Sequence, residues 1–275
     1  MITPEHSTVF SCSSESWAAD CRLLLEQSGL AERALLKQRV LIKPNLVEIL
    51  APPITTPVQL VENIVQYLLE YLPPSAIIIG EGCGAREYDT HRAFAELGYT
   101  RLAAKYNIEL IDLNEEELRR RTLAGCRRWP EMYLPAILDE VFLLSVPQLK
   151  AHSLAKVTLT MKNMMGCAPP SRYQAGGAWK KAAFHARIHE AIFELNRYRT
   201  PDYTLLDASV GMAQAHLWGP RCSPAVERMA ASFDPVAIDS YGAHLLKRRW
   251  QDIGHIVMAD DVLGTATDYA VVELD

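Results

Sequence analysis

Between Val141 and His189 the chain has no aspartate or glutamate, although it carries 33 acidic residues in its 275 positions. The same window holds Lys150, Lys156, Lys162, Arg172, Lys180, Lys181 and Arg187. The rest of the chain, with 21 basic side chains, is left at −12, against −5 for the whole. Charge segregated this way points to an anionic partner. Nucleic acid is disfavoured, because the pI is about 5.9 and the lysines are spaced by aliphatic rather than aromatic residues.

Other absences narrow the class. The six cysteines, at 12, 21, 83, 126, 167 and 222, form no CxxC pair, and none stands near a histidine at zinc-finger spacing. That argues against a disulfide scaffold and against an iron–sulfur centre built by closely spaced cysteines, leaving free thiols in a reducing cytoplasm. No run approaches the ~18 apolar residues that cross a bilayer, so no membrane partner is expected. The opening MITPEHSTVFSCSSESW has no basic segment followed by an apolar stretch, and so no visible secretory signal. GxGxxG, repeats and low-complexity tracts are also missing.

What is present is an alternation of short apolar runs with helical patterns. Arg39–Lys43, Ser75–Gly80, Ile108–Leu113, Glu140–Val146 and Tyr203–Ser209 read as buried strands rich in Ile, Val and Leu. Ser16–Ser28, Pro57–Tyr71, Thr90–Lys105, Ala182–Arg199 and Pro235–Lys247 read as helices. Thr56 before Pro57 and Asp234 before Pro235 are expected N-caps. The pattern predicts an α/β protein, a mainly parallel sheet flanked by helices, as one domain over 1–275 or as two lobes dividing near 140. Ligand sites in such sheets lie beyond the carboxyl ends of the strands.

The chemistry-bearing residues are therefore sought there. Lys43 and Asn45 follow the first of these strands, and Thr55 and Thr56 precede the next helix. Gly80–Ala85, GEGCGA, allows a tight turn with Glu81 facing ligand or solvent. Lys150 and His152 follow the fourth strand. Beyond them, Lys156, Thr158, Thr160 and Lys162 share one face if the segment is a strand. If it is a helix, His152, Lys156, Thr160 and Asn163 lie opposite an apolar stripe of Leu154, Val157, Met161 and Met164. Asp207 ends the fifth strand. His185 and His189 stand four apart in an expected helix, a weak metal-ligand spacing without the glutamate of HExxH, and Asp239 is a third metal candidate. The loop Cys167–Lys181 is expected to cover the cleft.

The ordered set LIKPNLV, TTP, VPQLKAH, TMKNMMG, His185, LLDAS, Gly219–Pro220 and DPVAID resembles the family catalogued as domain of unknown function 362, from about Val40 to Ala243. Many members of that family carry an appended ferredoxin-like module with clustered cysteines. These 275 residues contain none, so the resemblance implies a separate ferredoxin-like partner for any electron transfer. A looser likeness runs to the N-terminal lobe of the nickel-pincer lactate racemase family, with TTP, His152, Lys162 and His185 as counterparts.

These readings lead to an enzyme acting on a small carboxylate or phosphate. Lys43, Asn45, Thr55, Lys150 and Asn163 are the expected binding residues, and His152, Lys162, His185 and Asp207 the expected catalytic ones. The competing class is a non-catalytic protein that holds a cofactor or metal for delivery. A histidine paired with a carboxylate separates the two. The sequence names no cofactor and leaves a metal open.

Overall fold

Each of the five apolar runs is a strand, and successive residues in it go to opposite sides of one sheet. In the computed structural model, which describes residues 7–275, Val40, Ile42, Ile77, Ile79, Leu144 and Val146 pack into one core. Their neighbours Leu41, Ile78 and Leu143 pack into another. A strand covered on both faces needs apolar side chains at every position, so these runs do not alternate. The reading of the extreme N-terminus as free of a signal falls partly on Met1–His6, outside the described residues.

The chain begins β1 (Thr8–Ser13), α1 (Trp17–Gln27), α2 (Leu30–Lys37), β2 (Val40–Pro44), α3 (Val58–Leu68), β3 (Ile77–Glu81), α4 (Thr90–Glu96), α5 (Tyr99–Tyr106) and β4 (Glu109–Asp112). A hairpin of β5 (Leu118–Thr122) and β6 (Glu131–Pro135) follows. It leads to β7 (Phe142–Val146), β8 (Gln148–His152), β9 (Lys156–Thr158), α6 (Thr160–Asn163) and α7 (Pro170–Tyr173). The last third holds α8 (Ile188–Tyr198), β10 (Tyr203–Met212), β11 (Arg228–Ser232), α9 (Pro235–Leu245), α10 (Gly254–Ala259) and β12 (Ala270–Leu274).

Ten strands form one mixed sheet in the order β12-β1-β11-β10-β7-β2-β3-β4, with β8 also beside β10 and β9 hairpinned on β8. The stretch β10-β7-β2-β3-β4 is parallel, and β11 runs antiparallel to both its neighbours. Helices α1, α3 and α5 cover one face. Helix α8 and the β5–β6 hairpin cover part of the other, and α9 and α10 cover the rest.

Two expected helices are divided. Thr90–Lys105 breaks at Gly98, whose φ of +89° suits a residue without Cβ. Ala182–Arg199 is helical only from Ile188: Ala182–His185 is a 3-10 turn and Arg187 has a φ of +53°. His185 and His189 therefore do not share a helix face. Thr56 caps nothing. Its hydroxyl accepts from the Asn45 N–H (2.8 Å) and donates to the Val146 carbonyl (2.7 Å), tying the ends of β2 and β7 together.

Asp234 does cap α9. One carboxylate oxygen accepts from Val236 and Ala237 N–H, and the other from Thr265 N–H and the Ser7 hydroxyl. Asp234→Ala is expected to lower stability by at least about 2 kcal/mol, a cap loss plus buried donors left unpaired. Urea denaturation monitored by circular dichroism measures it.

Candidate functional site

Pro147 separates β7 from β8, since a residue without N–H interrupts the ladder. Strand β8 continues along β10 with a shifted register, and this carries Lys150 and His152 beyond the carboxyl edge of the sheet. The segment after them follows neither single-period reading. It is strand in β9 and becomes helix at Thr160, where the Asp239 carboxylate accepts the N–H groups of Thr160 (2.7 Å) and Met161 (3.1 Å). A carboxylate 79 residues away thus starts the single turn that presents Lys162 and Asn163.

These residues meet in a cleft of about 190 Å3. Its floor is a buried ion pair. Lys43 Nζ donates to both Glu81 oxygens at 2.8 Å, to the Pro44 carbonyl and to Asn163 Oδ1. Glu81 also accepts the N–H groups of Gly82 and Leu46. Both side chains are almost wholly shielded, at 0% and 3% exposure. Glu81, which could have faced ligand or solvent, faces Lys43 instead, so a carboxylate from β3, outside the acid-free window, neutralises one lysine of the group. Asn163 Oδ1 also accepts from Asn45 Nδ2 (3.0 Å), and Asn45 Oδ1 accepts from Lys150 Nζ (2.6 Å). The polar floor is continuous from Glu81 to Lys150.

The glycines beside this floor allow close approach rather than a turn. A Cβ on Gly166 would overlap Glu81 Oε1 and lie 2.5 Å from Lys43 Nζ. One on Gly82 would meet Asn114 Oδ1 at 2.5 Å and Lys181 Nζ at 2.8 Å. Gly166→Ala is expected to split the Lys43–Glu81 pair and cost about 1–3 kcal/mol. A thermal melt that matched wild type would contradict this.

Lys150, Lys162 and Lys181 stand above the floor. Lys150 Nζ also donates to the Ile54 carbonyl (2.6 Å). Lys181 Nζ donates to Asn114 Oδ1 and to the carbonyls of Gly166 and Ala168. Among the described residues Lys162 Nζ has no hydrogen-bond or ion-pair partner. No carboxylate binds any of the three directly. Burial therefore pushes them down, Lys150 to about 7, helped by the charge on Lys162, and Lys162 and Lys181 to about 8.

Three histidines complete the wall. His152 stacks on His216 with ring centroids 4.0 Å apart. Burial first, and then the charge of Lys162, hold both well below the usual histidine range, His216 at about 3. His185 is lowered for the same two reasons. His152 Nδ1 accepts from the N–H groups of Leu154 and Ala155, each at 3.1 Å. A neutral ring whose Nδ1 is an acceptor carries its proton on Nε2. His152 is thus a fixed N–H donor, which removes it as a proton-accepting base.

Asn45, Lys150, His152, Lys162, Asn163 and His185 all line the cleft, and Lys43 lies directly beneath it. Two expected members do not reach it. Thr55 donates to the Leu50 carbonyl. Asp207 is engaged by Gln148 and Ser209. The metal candidates also disperse: His189 Nδ1 faces His255 Nδ1 at 3.0 Å, Asp239 holds the start of α6, and His185 stays at the cleft. The group of donors within 4.8 Å of one another among the described residues is His91, Asp112 and Glu115, and it lies outside the cleft lining.

The sequence reading missed Lys181, Trp179 and His216, all of which line the cleft. The first two sit on the Cys167–Lys181 loop, whose Tyr173 packs with Phe184 against Trp129. The acid-free window pointed to Lys181. Nothing in the spacing pointed to His216.

This is an α/β protein with a lysine- and histidine-lined cleft at the carboxyl edge of its sheet. The chain belongs to the family described as a domain of unknown function, DUF362, whose model matches residues 40–244. No curated protein matches it. Among solved structures it is similar to the lactate racemase apoprotein from Thermoanaerobacterium thermosaccharolyticum, at 13% identity and a TM-score of 0.46. That likeness covers 87% of this chain and 57% of the other, so the chain spans little more than half of that protein's length.

Proposed function

We propose that the cleft binds a small carboxylate or phosphate and that the chain is an enzyme acting on it through lysine chemistry. One observation carries the reading: two buried lysines, Lys150 and Lys181, and the half-buried Lys162 line one cleft, and no carboxylate among the described residues is hydrogen-bonded to any of them. Like charges brought together and dehydrated are costly, and an anion among them offsets that cost. His152 Nε2–H, Lys150 and Lys162 would be its donors. Proton transfer falls to the lysines, whose values of about 7 and 8 lie close to neutrality, rather than to His152.

A second reading has its own support. No cleft histidine is paired with a carboxylate, and the ring nitrogens of His185 and His216 have no protein hydrogen-bond partner among the described residues. Both features suit a protein that holds a metal or anionic cofactor without turning it over.

Calorimetric titration with oxalate and with phosphate tests the first reading. Submillimolar binding is expected, weakened at least about tenfold when Lys162→Ala and His152→Ala are combined. Unchanged binding in a folded double variant would remove the anion reading. Elemental analysis with an absorption spectrum, on protein purified without oxygen, tests the second. A metal near one equivalent supports it.

A further inference from the structure

We propose that Lys162 is a nucleophile that condenses with the carbonyl group of a small oxo acid to form an imine. The inference rests on the anion-binding reading and assigns its substrate class.

The four lysines of the site are not equivalent. An ammonium group has three protons to donate. Lys181 spends all three, on Asn114 and two carbonyls. Lys43 is held by Glu81, Asn163 and Pro44. Lys150 makes two bonds, to Asn45 and Ile54, and keeps one proton for an anion. Lys162 has no partner among the described residues and borders the cleft. A lysine that only bound anions would need its proton, whereas a nucleophilic one must shed it. Burial holds Lys162 at about 8, so at neutral pH its uncharged fraction is roughly 300-fold that of a surface lysine.

Its surroundings suit the rest of the step. Helix α6 is fixed at one end by Asp239 and at the other by Asn163, whose amide donates to Ser145 Oγ and the Lys43 carbonyl. His152 offers an N–H that it cannot exchange for a lone pair, so it suits a carbonyl oxygen. Thr158 lines the same cleft, buried, with a hydroxyl that has no hydrogen-bond partner. Together with the free donor of Lys150, it would receive the carboxylate.

In the step, the Lys162 nitrogen lone pair forms the C–N bond as the carbonyl π pair moves to oxygen. The two amine protons pass to that oxygen, which leaves as water. Amine and carbonyl give imine and water, with no change of oxidation state.

The test is reductive trapping of the intact protein with pyruvate, as a simple oxo acid, and cyanoborohydride, followed by peptide mass spectrometry. The expected result is one adduct, at Lys162, formed about tenfold or more faster than at the exposed Lys156, the neutral-fraction advantage being partly offset by lower basicity. Excess oxalate, an anion without a ketone, should suppress it. Lys162→Arg should give no adduct while its circular dichroism spectrum stays that of the folded protein. Adducts spread over surface lysines, or an unchanged adduct yield in Lys162→Arg, would overturn the inference. Oxalate binding without trapping sinks the imine and leaves the anion reading standing. Absence of oxalate binding in wild type sinks both.

Discussion

Glu81→Ala is expected to destabilise the protein by about 3–5 kcal/mol, because it leaves the Lys43 ammonium buried without its counter-charge. The pair is shielded from water on both sides, so no solvent can take over the role of the carboxylate. Two further donors, the N–H groups of Leu46 and Gly82, would also lose their acceptor. Replacing both partners with apolar residues of similar size, Lys43→Met with Glu81→Leu, should cost much less, since it removes the charge together with its partner. Urea denaturation of the two variants distinguishes the cases. If the single variant were as stable as the double, the ion pair would not be the keystone of the floor. Cleft geometry should follow stability, because Asn163 links Lys43 to Asn45 and so to Lys150.

The second large effect is expected with pH, and it runs in opposite directions for stability and for anion binding. Lys150 at about 7 and Lys162 and Lys181 at about 8 lie below the 10.5 of an ordinary lysine. Above those values the unfolded chain binds more protons than the folded one, so stability rises with pH. Two histidines act with the same sign at lower pH, the half-buried His216 and the buried His255, at about 3 against 6.5. Asp239, pushed by burial to about 8, opposes them up to that value. The buried thiols of Cys12, Cys83 and Cys167, at about 11 against 9.0, oppose them above pH 9. Between about pH 8 and 9 the lysines therefore dominate, and the melting temperature of the free protein should rise. Oxalate affinity should fall in the same interval, by roughly tenfold for each lysine that must carry its proton. Paired melts and titrations at the two ends measure both slopes. Parallel slopes would show that the lysine charges are not what the anion reads.

Local pattern was enough for the scaffold and for much of the cleft. Apolar runs such as Val40–Ile42 and Ile77–Ile79 can be buried on both faces only in a covered sheet, so they specified strands and an α/β fold by composition alone. Asp234 beside Pro235 specified a helix start, because the N–H donors that its carboxylate accepts lie two and three residues away. The acid-free window marked Lys150, His152 and Lys162 because unbalanced charge is visible without coordinates.

Only the tertiary structure decided what those residues can do. Glu81 neutralises a lysine 38 positions earlier, and Asp239 starts a helix turn 79 positions back. His216 stacks on a ring 64 residues away. Each is a contact between strand ends, loops or helices that the fold brings together, and no local spacing encodes it. Charge along the chain could show that lysines accumulate. Which of them is paired, which is saturated and which is free depends on the acceptors that the fold places within 3 Å of each nitrogen, and among the described residues that assignment leaves Lys162 without a partner.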